Sequence, residues 1–229
     1  MPYSRRAVQA LLPAADSLVT DVCVVGHLAM RVGLLGITGG VGGLFAQRAL
    51  DGGHEVVALA RTPSKVTLTH AKLQLVKGDA TSAADVAKVA SGVDVVVSCV
   101  GQPPRARTHI METTAANILS ASPKKLILVS SLGLCGSSPF IRYVLSLIAG
   151  SANIQDAEAA DRLGCNASCP WVVVRPAGLG DAPGSGRYLA TEETGASFSP
   201  ISRADVATFL LDALTKAEWE RKALQLYAA

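Results

Sequence analysis

From Met30 onward, short apolar runs alternate with stretches whose apolar positions recur at helical spacing. Arg31 to Gly36 is the first run, followed by glycines and a helical stretch, Val41 to Leu50. Beyond Gly52-Gly53 come two more runs, Glu55 to Ala60 and Leu73 to Lys77. Thr81 or Ser82 can cap a helix over Ala83 to Ala90. Val93 to Val100 reads as a fourth strand, apolar over most of its length and so expected to be buried on both faces of a parallel sheet. A helix over Thr108 to Ser120 precedes a fifth strand, Lys125 to Ser130. A helix around Gln155 to Leu163 precedes a sixth, Trp171 to Arg175. Arg203 to Thr215 closes the series as a helix, with a short strand at Ala223 to Tyr227. Strands alternating with helices predict right-handed crossovers and an α/β, doubly wound, mostly parallel sheet in a single domain, residues 30–229.

Residues 1–29 stand apart as an N-terminal extension. Arg5 and Arg6 balance Asp16 and Asp21, no acid precedes Asp16, and Val8, Leu11 and Leu12 can share a helical face. A mitochondrial transit peptide begins in this way but normally carries more Arg and Ser, so the expected location is cytoplasmic, with mitochondrial as the alternative.

Composition narrows the classes. The 229 residues are 49% hydrophobic and 17% charged, so the chain can bury a large core. Net charge is +3 with no run of like charges, which argues against a nucleic-acid or membrane-surface protein. No apolar run reaches the roughly 18 residues that span a bilayer. The nearest, Phe140 to Ala149, contains Arg142 and reads as a buried helix. The five cysteines form no C-x-x-C pair, and no His cluster completes a zinc set, so no metal site is expected.

The sharpest motif is Gly36-Ile37-Thr38-Gly39-Gly40-Val41-Gly42-Gly43, between the first strand and the first helix. A tight turn there needs positive φ, a bulky side chain would hold a pyrophosphate off the backbone, and a third glycine lets the helix approach the strand. The exposed N–H groups and the helix dipole then favour phosphate. The end of the second strand, Leu59-Ala60-Arg61-Thr62-Pro63-Ser64-Lys65, carries no acid for a ribose 2′-hydroxyl. Arg61 offers a planar fork suited to a 2′-phosphate, with Thr62, Ser64 and Lys65 as further donors, which favours NADP(H) over NAD(H). Gly101, in Cys99-Val100-Gly101-Gln102 after the fourth strand, lets the backbone pass close to a cofactor ribose.

The spacing Gly36, Gly39, Gly42 resembles the atypical short-chain dehydrogenase/reductase group, more narrowly its NmrA-like and biliverdin-reductase-B-like NAD(P)H-binding members. Gly53-His54-Glu55-Val56, Gly78-Asp79, Val129-Ser130-Ser131, Arg175-Pro176 and Ile201-Ser202-Arg203-Ala204-Asp205-Val206-Ala207 extend the likeness from Met30 to Tyr227. The resemblance implies a Rossmann-type fold. It puts Asp79 and Ala80 at the adenine, Pro176 and Ala177 at the nicotinamide carboxamide, and Ser131 beside the nicotinamide with Ser130 next to it. Asp79 can equally cap a turn. Relatives of the biliverdin-reductase-B type carry a His where this chain has Gly178.

Standard members use a Tyr-x-x-x-Lys pair for proton transfer. Here Tyr143 is followed four residues later by Leu147, and Ala157 to Ala160 fill the stretch where relatives place the Lys. By this resemblance an unassisted Ser131 would orient and polarise a substrate rather than act as an acid; both serines can equally satisfy backbone groups where strand meets loop. The substrate wall is expected from residues 102–109, 132–150 and 178–200, the last a loop or small β-excursion. Leu132, Leu134, Phe140 and Ile141 can make an apolar pocket or serve as core or dimer surface. Arg105, Arg107 and Arg187 can meet an anion or simply be solvated. Arg203 and Asp205 read as a structural, helix-opening pair.

Two functions fit these residues: an NADPH-dependent oxidoreductase acting on a small carbonyl, quinone or conjugated ring, or an inactive NAD(P)(H)-binding regulator or assembly factor of NmrA-like type. Epimerase-like chemistry also needs the Tyr/Lys pair and fits least. The expected partner is a small-molecule substrate, with the chain a monomer or homodimer.

Overall fold

The computed structural model describes residues 29–131 except 104 and 107, then 146–147, 150–192 and 199–229. The apolar helix expected over 140–149 lies outside these residues apart from the helical pair 146–147. The extension before residue 29 also lies outside them, as do Leu132, Leu134, Phe140, Ile141, Tyr143 and Arg107.

The chain runs β1 (Arg31–Leu35), α1 (Gly40–Asp51), β2 (Glu55–Ala60), β3 (Leu73–Lys77), α2 (Ala83–Ala90), β4 (Val95–Ser98), α3 (Ile110–Ser120) and β5 (Leu126–Val129). It continues with α4 (Ser151–Cys165), β6 (Trp171–Pro176), β7 (Leu179–Gly180), β8 (Tyr188–Thr191), β9 (Ile201–Ser202), α5 (Arg203–Ala213) and β10 (Lys222–Ala228). Eight strands form one sheet in the order β3-β2-β1-β4-β5-β6-β10-β8, parallel throughout except for β8 against β10. Every residue of β4, β5 and β6 is buried, as continuous apolar strands covered on both faces must be. One face lies under α1 and α5, with Phe45, Ala46 and Ala49 sharing a core with Phe209, Leu210 and Ala213. The other lies under α2, α3 and α4, through Val86, Val89, Ala115, Ile118, Ala157 and Ala160. Strands are added on opposite sides of β1, so a crevice opens at the carboxyl ends of β1 and β4, where ligands bind in such sheets.

Local rules start the helices. Ser82 Oγ accepts from Asp85 N to open α2, and Ser202 Oγ accepts from Asp205 N at 2.9 Å to open α5. The fourth strand is shorter than its apolar run. Asp94 leaves it to accept hydrogen bonds from Arg31 N and Lys124 Nζ, and Cys99 and Val100 turn out to line the crevice. The expected β-excursion after residue 178 consists of β7 paired with β9, and of β8, the antiparallel sheet edge.

Candidate functional site

The turn leaving β1 can be built only with glycine at two places. Gly36 has φ +92°, and a Cβ on it would lie 2.7 Å from the carbonyl carbon and oxygen of Cys99. A Cβ on Gly42 would lie 2.2 Å from Gly36 O, so α1 rests against the turn through bare backbone. Gly39 N donates to Gly36 O at 3.0 Å, and Gly39 also occupies the cap position of α1. No side chain therefore caps this helix, and no acid stands in its first turn. The first-turn amides and the positive end of the helix dipole are left for an external anion.

Two hollows meet at this turn. One is lined by Gly36, Thr38, Gly39, Arg61, Asp79, Ala80 and Ile110, among others. The second is lined by Gly40, Val41, Gln102, Met111, Ser130, Leu179 and Arg203, among others. Gly39, Cys99, Val100 and Gly101 belong to both, so the hollows form one groove across the carboxyl ends of β1 and β4. A Cβ on Gly101 would meet nothing within 4 Å, which leaves open space above the backbone there. A groove with a hollow on each side of an uncapped helix start fits a dinucleotide, its diphosphate at the turn and its two ends to either side.

In the first hollow, Arg61 is exposed at the end of β2, and no hydrogen bond among the described residues holds its guanidinium. Asp79 does both things the sequence allowed. It lines the hollow, and it fixes a turn by accepting from Thr81 N at 2.9 Å and Thr81 Oγ1 at 2.7 Å. Those two bonds, aided more weakly by the charge of Arg61, hold its carboxyl below the usual carboxylate range. Ala80 is held by Asn117, whose amide donates to its carbonyl at 3.1 Å. Lys65 lines a neighbouring hollow with Thr38, Gly39 and Gly40, while Thr62 and Ser64 are exposed and line none of the described hollows.

Ser130 lines the second hollow and is buried, and its hydroxyl has no hydrogen-bond partner among the described residues. Ser131, the serine singled out by resemblance, is exposed and outside the described lining. Pro176 ends β6 and Ala177 follows it, and neither lines the two hollows. Ala177 N donates to Leu226 O at 2.9 Å, and it is Leu179 that reaches the hollow. Burial pushes the Cys99 thiol up to about 12, so it stays protonated and behaves as a small apolar group.

The wall beyond Ser130 is held by residues that the sequence did not single out. Asp156 of α4 is fully buried and accepts from Met111 N (3.0 Å), Glu112 N (2.8 Å) and Gln102 Nε2 (2.9 Å). It thus caps α3 from another helix and fixes Gln102, whose Oε1 also accepts from Thr108 Oγ1. Asn153, one turn earlier, donates to Pro103 O at 2.7 Å. His109, Glu112 and Asp156 bring ligand-type atoms within 4.8 Å of one another, but both Asp156 oxygens already accept N–H bonds. Polar residues on a helix otherwise packed on the core were the available signal for Asn153 and Asp156. Arg203 also lines this hollow, whereas Asp205 has the structural place expected of it, accepting from Ser185 N, Gly186 N and Ser202 Oγ.

The fold is a Rossmann-type α/β doubly wound sheet with an open groove across the carboxyl ends of its strands. A family model described as NAD(P)H-binding matches residues 36–217, and the chain belongs to that family. Similar solved structures include ChuY, an anaerobilin reductase from Escherichia coli O157:H7, at 23% identity over 86% of this chain and 96% of that one, TM-score 0.72. The oxidoreductase ylbE from Lactococcus lactis is 17% identical over 87% of this chain and 91% of that one, TM-score 0.75. A short-chain dehydrogenase/reductase from Veillonella parvula is 16% identical over 87% and 94%, TM-score 0.72. At these identities the likeness is one of fold. Among the described residues, no helix is long and apolar enough to cross a membrane.

Proposed function

We propose that the chain is an oxidoreductase that takes NADPH in preference to NADH and reduces a small carbonyl, quinone or conjugated-ring substrate without a Tyr-x-x-x-Lys pair. The observation that carries this reading is Ser130, which lines the second hollow and whose buried hydroxyl has no hydrogen-bond partner among the described residues. A buried hydroxyl left unsatisfied is costly unless a ligand completes it. The bound coenzyme supplies a hydride. Ser130 Oγ donates to the substrate oxygen and polarises it, and water reaching the open hollow supplies the proton. Ser131, exposed beside it, is the second serine for this role. Arg61 binds the 2′-phosphate that separates NADPH from NADH. ChuY is named for the reduction of anaerobilin, which supports a reductive reaction here.

A second reading, a regulator that binds NAD(P)(H) without chemistry, is favoured by the described lining of the second hollow, which includes no Tyr and no Lys. Deuteride transfer from 4-labelled NADPH across a panel of quinones, aldehydes and flavins separates the two. Transfer to any acceptor supports the oxidoreductase; saturable binding with no transfer supports the regulator.

A further inference from the structure

We infer that Arg203 is a ligand of the cofactor diphosphate and that Asp181 is the anion it gives up on binding. This rests on the reading of the glycine turn as the diphosphate seat. Arg203 opens α5, but its side chain lies over the first turn of α1: a Cβ on Gly40 would fall 2.6 Å from Arg203 Cδ and 3.1 Å from Nε. Gly40 thus keeps clear the space that the arginine stem occupies. Arg203 lines the second hollow, and its guanidinium donates through Nη1 to Asp181 Oδ1.

The two partners are unequal. The Arg203 side chain is 29% exposed and that of Asp181 is 88% exposed. A cation therefore sits beside the uncapped, positive end of α1, a like-signed pairing that favours an anion near both. Asp181 supplies one from the solvent side, where an ion pair contributes little. A diphosphate between the α1 amides and the guanidinium meets both positive groups at once. It also offers paired oxygens to the planar fork, and Asp181 returns to water at small cost. An ion pair serving only to hold the fold would be kept in the complex.

The two roles predict opposite signs, read by calorimetric titration of the full chain with NADPH. Asp181→Ala should bind about two- to five-fold more tightly than the parent, the range an exposed ion pair supports. Arg203→Ala should bind about ten-fold more weakly or worse, as loss of a charge-assisted contact implies. Adding Asp181→Ala to Arg203→Ala should change nothing further. Unchanged or weaker binding by Asp181→Ala overturns the inference, as does a gain that persists without Arg203, which would mark a long-range charge effect. If Arg203→Ala does not fold, Asp181→Ala combined with Arg203→Lys replaces it, and a reduced gain there supports the exchange. A parent chain that binds NADPH while Asp181→Ala stays neutral removes the Arg203 assignment alone; a parent that does not bind removes the reading of the turn.

Discussion

Gly36 and Cys99 meet backbone to backbone at the carboxyl ends of β1 and β4: a Cβ on the glycine would sit 2.7 Å from the cysteine carbonyl. The positive φ of Gly36 adds to this constraint. Gly36→Ala must either adopt a conformation costing about 1–2 kcal/mol or separate the strand ends. Its melting temperature should fall by roughly 2–8 °C, the range such a loss gives a domain of this size. NADPH should no longer raise that temperature. A thermal scan with and without NADPH reads both, and an unaltered shift by NADPH would show that the turn does not seat the ligand.

Arg61 stands at the end of β2, exposed, with no hydrogen bond to its guanidinium among the described residues. Arg61→Ala should weaken NADPH about 10- to 100-fold, the cost of a charge-assisted bond, and leave NADH within about two-fold. Parallel titrations with the two coenzymes give the ratio. Equal losses would remove the 2′-phosphate assignment.

Much of this groove can be read along the chain, because its parts are local. The β5 segment is a continuous apolar run because both faces of its sheet are covered. Gly36, Gly39 and Gly42 fall at a spacing that only a tight strand-to-helix turn requires, and Arg61 ends a strand whose direction the runs already give. The remainder is tertiary. Asp156 caps a helix whose first amides lie 44 and 45 residues away, and no local pattern records that contact. The β8 edge is defined by antiparallel pairing with β10, while its flanks are rich in Gly, Ser and Pro. Arg203 and Asp205 read alike in sequence, yet Asp205 ties the 185–186 backbone to α5 whereas Arg203 reaches across to α1.

Asp205 makes stability depend on acid. Burial opposes its ionisation most strongly, but hydrogen bonds from Ser185 N, Ser202 Oγ and Gly186 N together outweigh that and hold its pKa below the ordinary 3.8. A folded-state value below the unfolded one contributes stability that is present above the unfolded pKa and is lost as pH falls through the folded pKa. Asp205→Asn should therefore be less stable near neutrality, and its deficit should shrink as pH falls below about 4. Urea denaturation across that interval checks the sign; a constant deficit would show that the carboxylate charge is not involved.

Arg175 and Asp161 form a buried bidentate pair, with Nε–Oδ2 at 2.9 Å and Nη2–Oδ1 at 2.6 Å, joining β6 to α4. Removing one partner strands a buried charge, so Asp161→Ala should cost about 3–5 kcal/mol. Chemical denaturation measures this, and a loss under about 1 kcal/mol, the level of an exposed pair, would contradict the buried pairing.

Ser130 is buried and Ser131 beside it is exposed, and the proposed reaction assigns each a polarising role that substitution can test. With an acceptor found by deuteride transfer, Ser130→Ala should lower kcat by about 10-fold or more while leaving the NADPH affinity nearly unchanged, as loss of a polarising donor does. Ser131→Ala, made in parallel, should also lower turnover more than cofactor affinity. Unchanged turnover in either variant reduces that serine to a structural role.

Titration calorimetry of the full chain with NADPH and NADH tests the central claim most directly. The account predicts one saturable site for each, tighter for NADPH. Absence of binding heat with both coenzymes over a range of temperatures would contradict it.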